Sequence, residues 1–123
     1  MQNLKVLVIG EAIIDKYVFC ETLGKSGKEP HLVLRDLREE VYLGGALSIA
    51  RNVSDFCKKI TILSVLGQEK EYEKHIKKIL TKKIKSQFLY KSKSPTIVKK
   101  RYLEHITNNK VLGIYTLNDE LLN

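Results

Sequence analysis

The sequence has no tryptophan, one methionine, two prolines and two cysteines in 123 residues. Cys20 and Cys57 stand 37 positions apart and belong to no CxxC or Cys/His spacing, which argues against a disulfide framework and a structural zinc site. Each reads as a small buried apolar residue in a reducing compartment. The longest apolar runs, at 6–9 and 60–66, fall far below the ~18 residues of a membrane span. No apolar signal region or small-residue cleavage site is legible near the N-terminus, so the expected setting is the cytoplasm, with no membrane partner. Acid is missing from a whole stretch: between His75 and Arg101 there are ten basic residues and no Asp or Glu.

What is present fits one small globular domain, with 43% hydrophobic and 29% charged residues. The net charge of +8 is uneven. Residues 1–66 carry nine Lys/Arg against eight Asp/Glu, and residues 67–123 carry thirteen against six. Such a block can attract phosphates or nucleic acid through its field. Its interleaved aromatics are only Phe88, Tyr90 and Tyr102 and no nucleic-acid module accompanies them, so it reads as a solvated face and no nucleic-acid partner is expected.

Residues 4–9 form a short β-branched apolar run closed by Gly10, the pattern of a parallel strand buried on both faces. A ragged extended excursion follows, through a Gly/Lys/Ser/Pro turn cluster at 24–30, and ends near Leu43. Gly44 and Gly45 open a helical pattern to about Phe56, with Ala46, Ile49, Ala50, Val53 and Cys57 on one face. A second buried strand at 60–66 completes a βαβ unit. Glu69 begins a second helix whose first turn is acidic and whose last holds Lys82 and Lys83, complementing the helix dipole. Strands are expected at 87–90, 96–103 and 111–115, so the fold class is α/β.

Several motifs fail on inspection. Gly24, Lys25 and Ser26 end like a phosphate-binding loop, but the earlier glycine would be Phe19 and no helix pattern follows. His31, His75 and His105 show no ligand spacing, and no metal site is expected. The sequon at Asn52 sits inside a helix and reads as chance. Two features stand out. Asp15 lies just past the end of the first parallel strand, where open α/β sheets bind ligands, and a carboxylate can accept two sugar hydroxyls. The Gly44–Gly45 pair at a helix start allows close ligand approach and frees helix N–H groups. Taken singly, each is a weak signal, and Asp15 reads better as a turn cap and the glycines as tight helix–sheet packing.

Taken in order, four segments carry a resemblance. Val6 to Tyr17, then Leu43, Gly44, Gly45, Ala46 with Ala50 and Asn52, then Leu63 to Gly67, then Pro95 to Arg101 resemble the N-terminal part of a PfkB-type, ribokinase-like carbohydrate kinase. Within that family the likeness is to the heptose 7-phosphate kinase half of bifunctional ADP-heptose synthases. The resemblance spans nearly the whole chain. It implies a ribokinase-like αβα sandwich with a small β-lid, of which residues 1–123 form the N-terminal portion, a single partial domain with lid segments at about 17–43 and 95–104. Asp15 would bind substrate hydroxyls, Gly44 and Gly45 would floor the sugar site, and Asn52 would line or support it. Lys99 and Arg101 fall where this subgroup has a basic pair on the lid, suited to a sugar phosphate.

The resemblance further implies ATP-dependent phosphorylation of a sugar hydroxyl in a complete enzyme that uses ATP and Mg²⁺. The lid often pairs with a second subunit, so a homodimer is expected. There are departures. Ser48 stands where the family has an asparagine, Glu69 where many members have an aspartate, and Gly113 and Tyr115 where relatives often carry an arginine and acids. The family's catalytic aspartate sits in a Gly-x-Gly-Asp motif, and with Gly113 the only glycine after Gly67 these residues hold none. No catalytic residue is therefore expected here, and neither ATP nor Mg²⁺ is expected to bind this chain alone. The alternative reading is a non-catalytic sugar-binding or dimerisation module without the ATP half.

Overall fold

The computed structural model describes residues 3–121. The elements run β1 (Lys5–Ile9), β2 (Ala12–Lys25), β3 (Leu32–Gly45), α1 (Ala46–Val53), β4 (Lys59–Gly67), α2 (Glu73–Ile79), β5 (Ile84–Lys91), β6 (Ile97–Glu104) and β7 (Lys110–Thr116). They form two sheets. One is parallel, in the order β1-β4-β5, and the other is mixed, in the order β3-β2-β6-β7.

The parallel sheet is the expected βαβ unit extended by one strand, with Val6 opposite Ile60 and Ile60 opposite Ile84. Alternation along β4 sends Ile60, Ile62 and Leu66 inward, where α1 packs Leu47 and Ala50 and α2 packs Ile76 against them. Burial of each of these leucines and isoleucines contributes roughly 1.5–3 kcal/mol. The root of the mixed sheet joins the same core through Ala12, Ile14 and Leu43.

Three expectations are corrected here. The first strand is not buried on both faces: β1 lies at the sheet edge, and Leu7 and Ile9 are 57% and 68% exposed because the helices cover only the opposite face. The ragged excursion is one continuous hairpin of two 14-residue strands. Register shifts at Phe19/Cys20 and Thr22/Gly24 break its period of two, which is why its alternation was hard to read. Both helices are shorter than their patterns. The buried side of α1 is Ala46, Leu47 and Ala50, while Ile49 is 54% exposed, so the apolar face is rotated by one residue. Lys70 and Tyr72 adopt left-handed backbone conformations, which delays α2 to Glu73 and leaves Lys77 and Lys78, not Lys82 and Lys83, in its last turn. Cys20 and Cys57 are both free and buried, as expected.

The sheets are joined where β4 ends and β6 begins. The Gly67 amide donates to the Thr96 hydroxyl at 2.9 Å, and that hydroxyl donates to the Glu71 carbonyl at 3.1 Å. A Cβ on Gly67 would run into the backbone of Pro95 and Thr96, so only glycine permits this approach. The Gln68 amide bonds the Ser94 carbonyl at 3.0 Å, and the Lys93 amide bonds the Gln68 side chain at 2.9 Å. Thr96 is 1% exposed, so its hydroxyl cannot trade these partners for water. Thr96→Val keeps the shape and deletes the hydroxyl. It is expected to cost about 1–3 kcal/mol in a urea titration, because the Gly67 amide is left unsatisfied; an unchanged midpoint would show that the junction does not depend on this bond.

Candidate functional site

The site grows from the alternation of the mixed sheet. Asp15 on β2 is paired with Tyr42 of β3 on one side and Lys99 of β6 on the other, and Lys99 is paired with Tyr115 of β7. Residues one step away in the same period, Tyr17, Gly44 and Arg101, share that face. Glu40, opposite Tyr17, stands there too, so one face of the sheet presents two carboxylates, two cations and three tyrosines.

Asp15 is held on two sides. Its Oδ1 accepts a bond from Arg101 Nη1 at 3.0 Å, with the two side chains 22% and 19% exposed. Its Oδ2 lies where a Cβ on Gly44 would have to be, so the missing side chain at 44 is what lets the carboxylate sit against β3. Gly45 has φ +60, and a Cβ there would strike the Glu11 carbonyl. That carbonyl accepts the Ala46 amide at 2.8 Å, so the first helix N–H is already used, and no side chain caps α1. The double glycine thus ends β3, turns into α1 and leaves room for the carboxylate in one step.

Around this pair the tyrosines form a rim. Tyr17 and Tyr42 meet edge to face with centroids 5.7 Å apart. The Tyr42 hydroxyl donates to Glu40 at 2.8 Å, which holds the Glu40 carboxyl below its ordinary range with help from Arg38. The Arg101 guanidinium lies 5.8 Å from the Tyr17 centroid and 5.3 Å from that of Tyr115. Its bond to Asp15 pushes its pKa above the ordinary arginine value. Lys99 Nζ sits 5.6 Å from the Tyr115 centroid. On the other face of β2, Lys16 is raised by its contacts with Tyr72 and Glu39.

The structure therefore brings together Asp15, Gly44, Gly45, Lys99 and Arg101. It does not bring Asn52 to them. Asn52 is exposed near the end of α1 and lines a surface cavity with Thr81 and Ile84, at the amino end of the parallel sheet and away from Asp15. Tyr17, Tyr42 and Tyr115 stand on the same face but do not stand out in the sequence as site residues. Their signal was the period of two that each shares with a site residue, hidden until strand register is known. A cavity of about 370 Å³ opens beside the site, between the carboxyl ends of β1 and β4 and the start of β6, and is lined by Gly10, Ser64, Lys91 and Ile97. Among the described residues no group of three or more His, Cys, Asp or Glu could hold a metal ion. Among the described residues no helix is long and apolar enough to cross a membrane.

No protein-family model matches the chain. Curated relatives do. The bifunctional protein HldE of Campylobacter jejuni (serotype O:6) is 32% identical over 113 residues, which are 92% of this chain and 23% of that protein. The D-beta-D-heptose 7-phosphate kinase of Bordetella bronchiseptica is 30% identical over 99 residues, 80% of this chain and 32% of that one. The chain thus spans about a quarter to a third of the length of these relatives. Among solved structures, a carbohydrate kinase from Agrobacterium tumefaciens superposes with a TM-score of 0.62 at 22% identity, covering 90% of this chain and 34% of that one. A nucleoside kinase from Methanocaldococcus jannaschii, an archaeal member of the ribokinase family, gives 0.58 at 19%, covering 90% and 36%. The fold is a portion of the ribokinase fold.

Backbone constraint at the double glycine is open to test. Gly45→Ala is expected to lower stability by about 1–3 kcal/mol, since alanine must adopt a strained conformation and meet the Glu11 carbonyl. Gly27→Ala, whose Cβ would meet open space, should leave the denaturation midpoint unchanged. Equal midpoints for the two variants would remove the constraint at position 45.

Proposed function

We propose, for a chain that belongs by sequence and fold to the PfkB-type, ribokinase-like carbohydrate kinases, that it supplies the sugar site and lid of an ATP-dependent kinase acting on a hydroxyl of a heptose 7-phosphate-like sugar. The observation that carries this reading is the carboxylate of Asp15, lodged against Gly44 and facing a basic, tyrosine-rimmed sheet face. A fixed carboxylate orients a sugar by accepting from its hydroxyls, and positive charge beside it suits a substrate that already bears a phosphate. The tyrosine rings offer flat apolar area for the C–H faces of a sugar, and the mixed sheet is the lid.

Phosphoryl transfer rests on positioning and on neutralising the transferred group. The described residues do not fit that part. They hold no carboxylate cluster for Mg²⁺ and no Gly-x-Gly-Asp anion loop, so ATP binding and the catalytic base are assigned to the rest of such a kinase. This chain's own share is to bind the sugar, orient it and cover it. An ATP-using enzyme with two free buried thiols suits the cytoplasm. In the protein as its cell makes it, Asp15→Asn is expected to weaken heptose 7-phosphate binding about 10- to 100-fold in a calorimetric titration, with ATP affinity unchanged. Unchanged sugar affinity would sink the role of Asp15.

The partner reading is a second copy joined through the lid. The face of the mixed sheet opposite Asp15 carries Leu112 and Ile114, both 52% exposed, beside Val18 and Cys20 around a cavity of about 460 Å³. Burial there also raises the Cys20 thiol pKa. Asp36, Arg38, Glu39 and Lys100 also line it, so the surface is one of exposed aliphatic side chains among charged ones, a composition an interface between copies can take. Ile114→Lys is expected to turn a dimer into a monomer in sedimentation velocity. A monomeric unaltered protein would dismiss the lid dimer.

A further inference from the structure

The two lid cations do not stand in the same position towards Asp15. Strand register puts Lys99 directly opposite it, yet the carboxylate takes its bond from the diagonal neighbour, Arg101. A diagonal reach across a sheet is open to a long side chain and needs something to hold that side chain in place. Tyr17 lies 5.8 Å away on one side of the guanidinium and Tyr115 5.3 Å away on the other. The residue paired with Arg101 on β7 is Gly113, and a Cβ there would come within 3.2 Å of the Tyr115 ring. Bare backbone at 113 therefore makes space for that ring to fold over the guanidinium. Gly113 and Tyr115, two of the four departures from the family pattern, act together.

Arg101 thus donates to a carboxylate through Nη1 and has two tyrosine rings as neighbours. A phosphate arriving at it would have to share one guanidinium with Asp15, setting two anions side by side. Lys99 is different. Its ammonium has a ring for a neighbour, and among the described residues it has no carboxylate partner. We propose that Arg101 is a positioning residue for Asp15, and that Lys99 is the lid cation that recognises the phosphate of a phosphorylated sugar. The assignment rests on the sugar-kinase reading and divides its site into a hydroxyl-binding half and a phosphate-binding half.

The test compares heptose 7-phosphate with unphosphorylated heptose by calorimetry, in the protein as its cell makes it. Lys99→Gln should lower the preference for the phosphorylated sugar about tenfold or more and leave heptose affinity unchanged. Arg101→Gln should weaken both sugars by the same factor, so that the preference survives. Arg101→Lys keeps the charge and folds with the least disturbance. It should weaken both sugars equally too, since an ammonium cannot reproduce the planar, diagonal reach of the guanidinium. Loss of the phosphate preference in Arg101→Gln with heptose binding intact would overturn the assignment, as would an intact preference in Lys99→Gln. If the unaltered protein bound neither sugar, the sugar-kinase reading would itself fall and take the assignment with it.

Discussion

The close passage of Gly67 against Pro95 and Thr96 is the constraint on which the rest of the molecule depends. It fixes where the chain leaves the parallel sheet and enters the mixed one. The next residue but one after Pro95 begins β6, so this crossing sets the register of β6 against β2. That register puts Lys99 beside Asp15 and Arg101 beside Tyr17. A shift by one residue would turn both cations to the opposite face, where Val98, Lys100 and Tyr102 now stand. The arrangement of charge on that sheet face thus depends on a glycine amide at the end of β4 and a buried hydroxyl just before β6.

The second dependence is steric. Gly44 gives up a side chain so that a carboxylate can lie flat against β3, and Gly45 gives up one so that the strand can turn into α1. Neither contact is an attraction, yet both decide where the negative charge sits. Charge and shape are coupled in the same way at Gly113, where an empty position on β7 admits the ring that flanks Arg101. Removing side chains at three glycines is how this small sheet brings a carboxylate, a guanidinium and aromatic rings to one face.

Much of this was legible before any coordinates. The βαβ unit could be read because β4 is a nearly continuous apolar run and α1 carries helical periodicity. Asp15, Gly44, Lys99 and Arg101 stand out in the sequence and share one sheet face, with Gly45 next in the chain. What stayed hidden depends on distance and on cover. The pair Arg101 and Asp15 is 86 residues apart in sequence and diagonal in the sheet, so no local pattern encodes it. The exposed side of β1 could not be inferred from Leu7 and Ile9, because an apolar strand looks the same whether one or both faces are covered. Asn52 was carried in by resemblance alone, and helix geometry puts it about two turns from the glycines.

The hairpin of β2 and β3 has a bearing on how the molecule assembles. Its strands are neighbours in the chain and are joined by a short connection at 26–31, so their pairing closes a small loop at little entropic cost. The pairing of β2 with β6 closes a loop of more than eighty residues, and the docking of β7 follows from it. Non-local strand pairing is the slow part of folding. Asp15, Tyr17 and Tyr42 therefore come together early on a local scaffold, while Lys99, Arg101 and Tyr115 arrive with the last and most distant contacts. Assembly of the sheet face that carries both signs of charge is a late kinetic event, and its appearance marks the completion of the native topology.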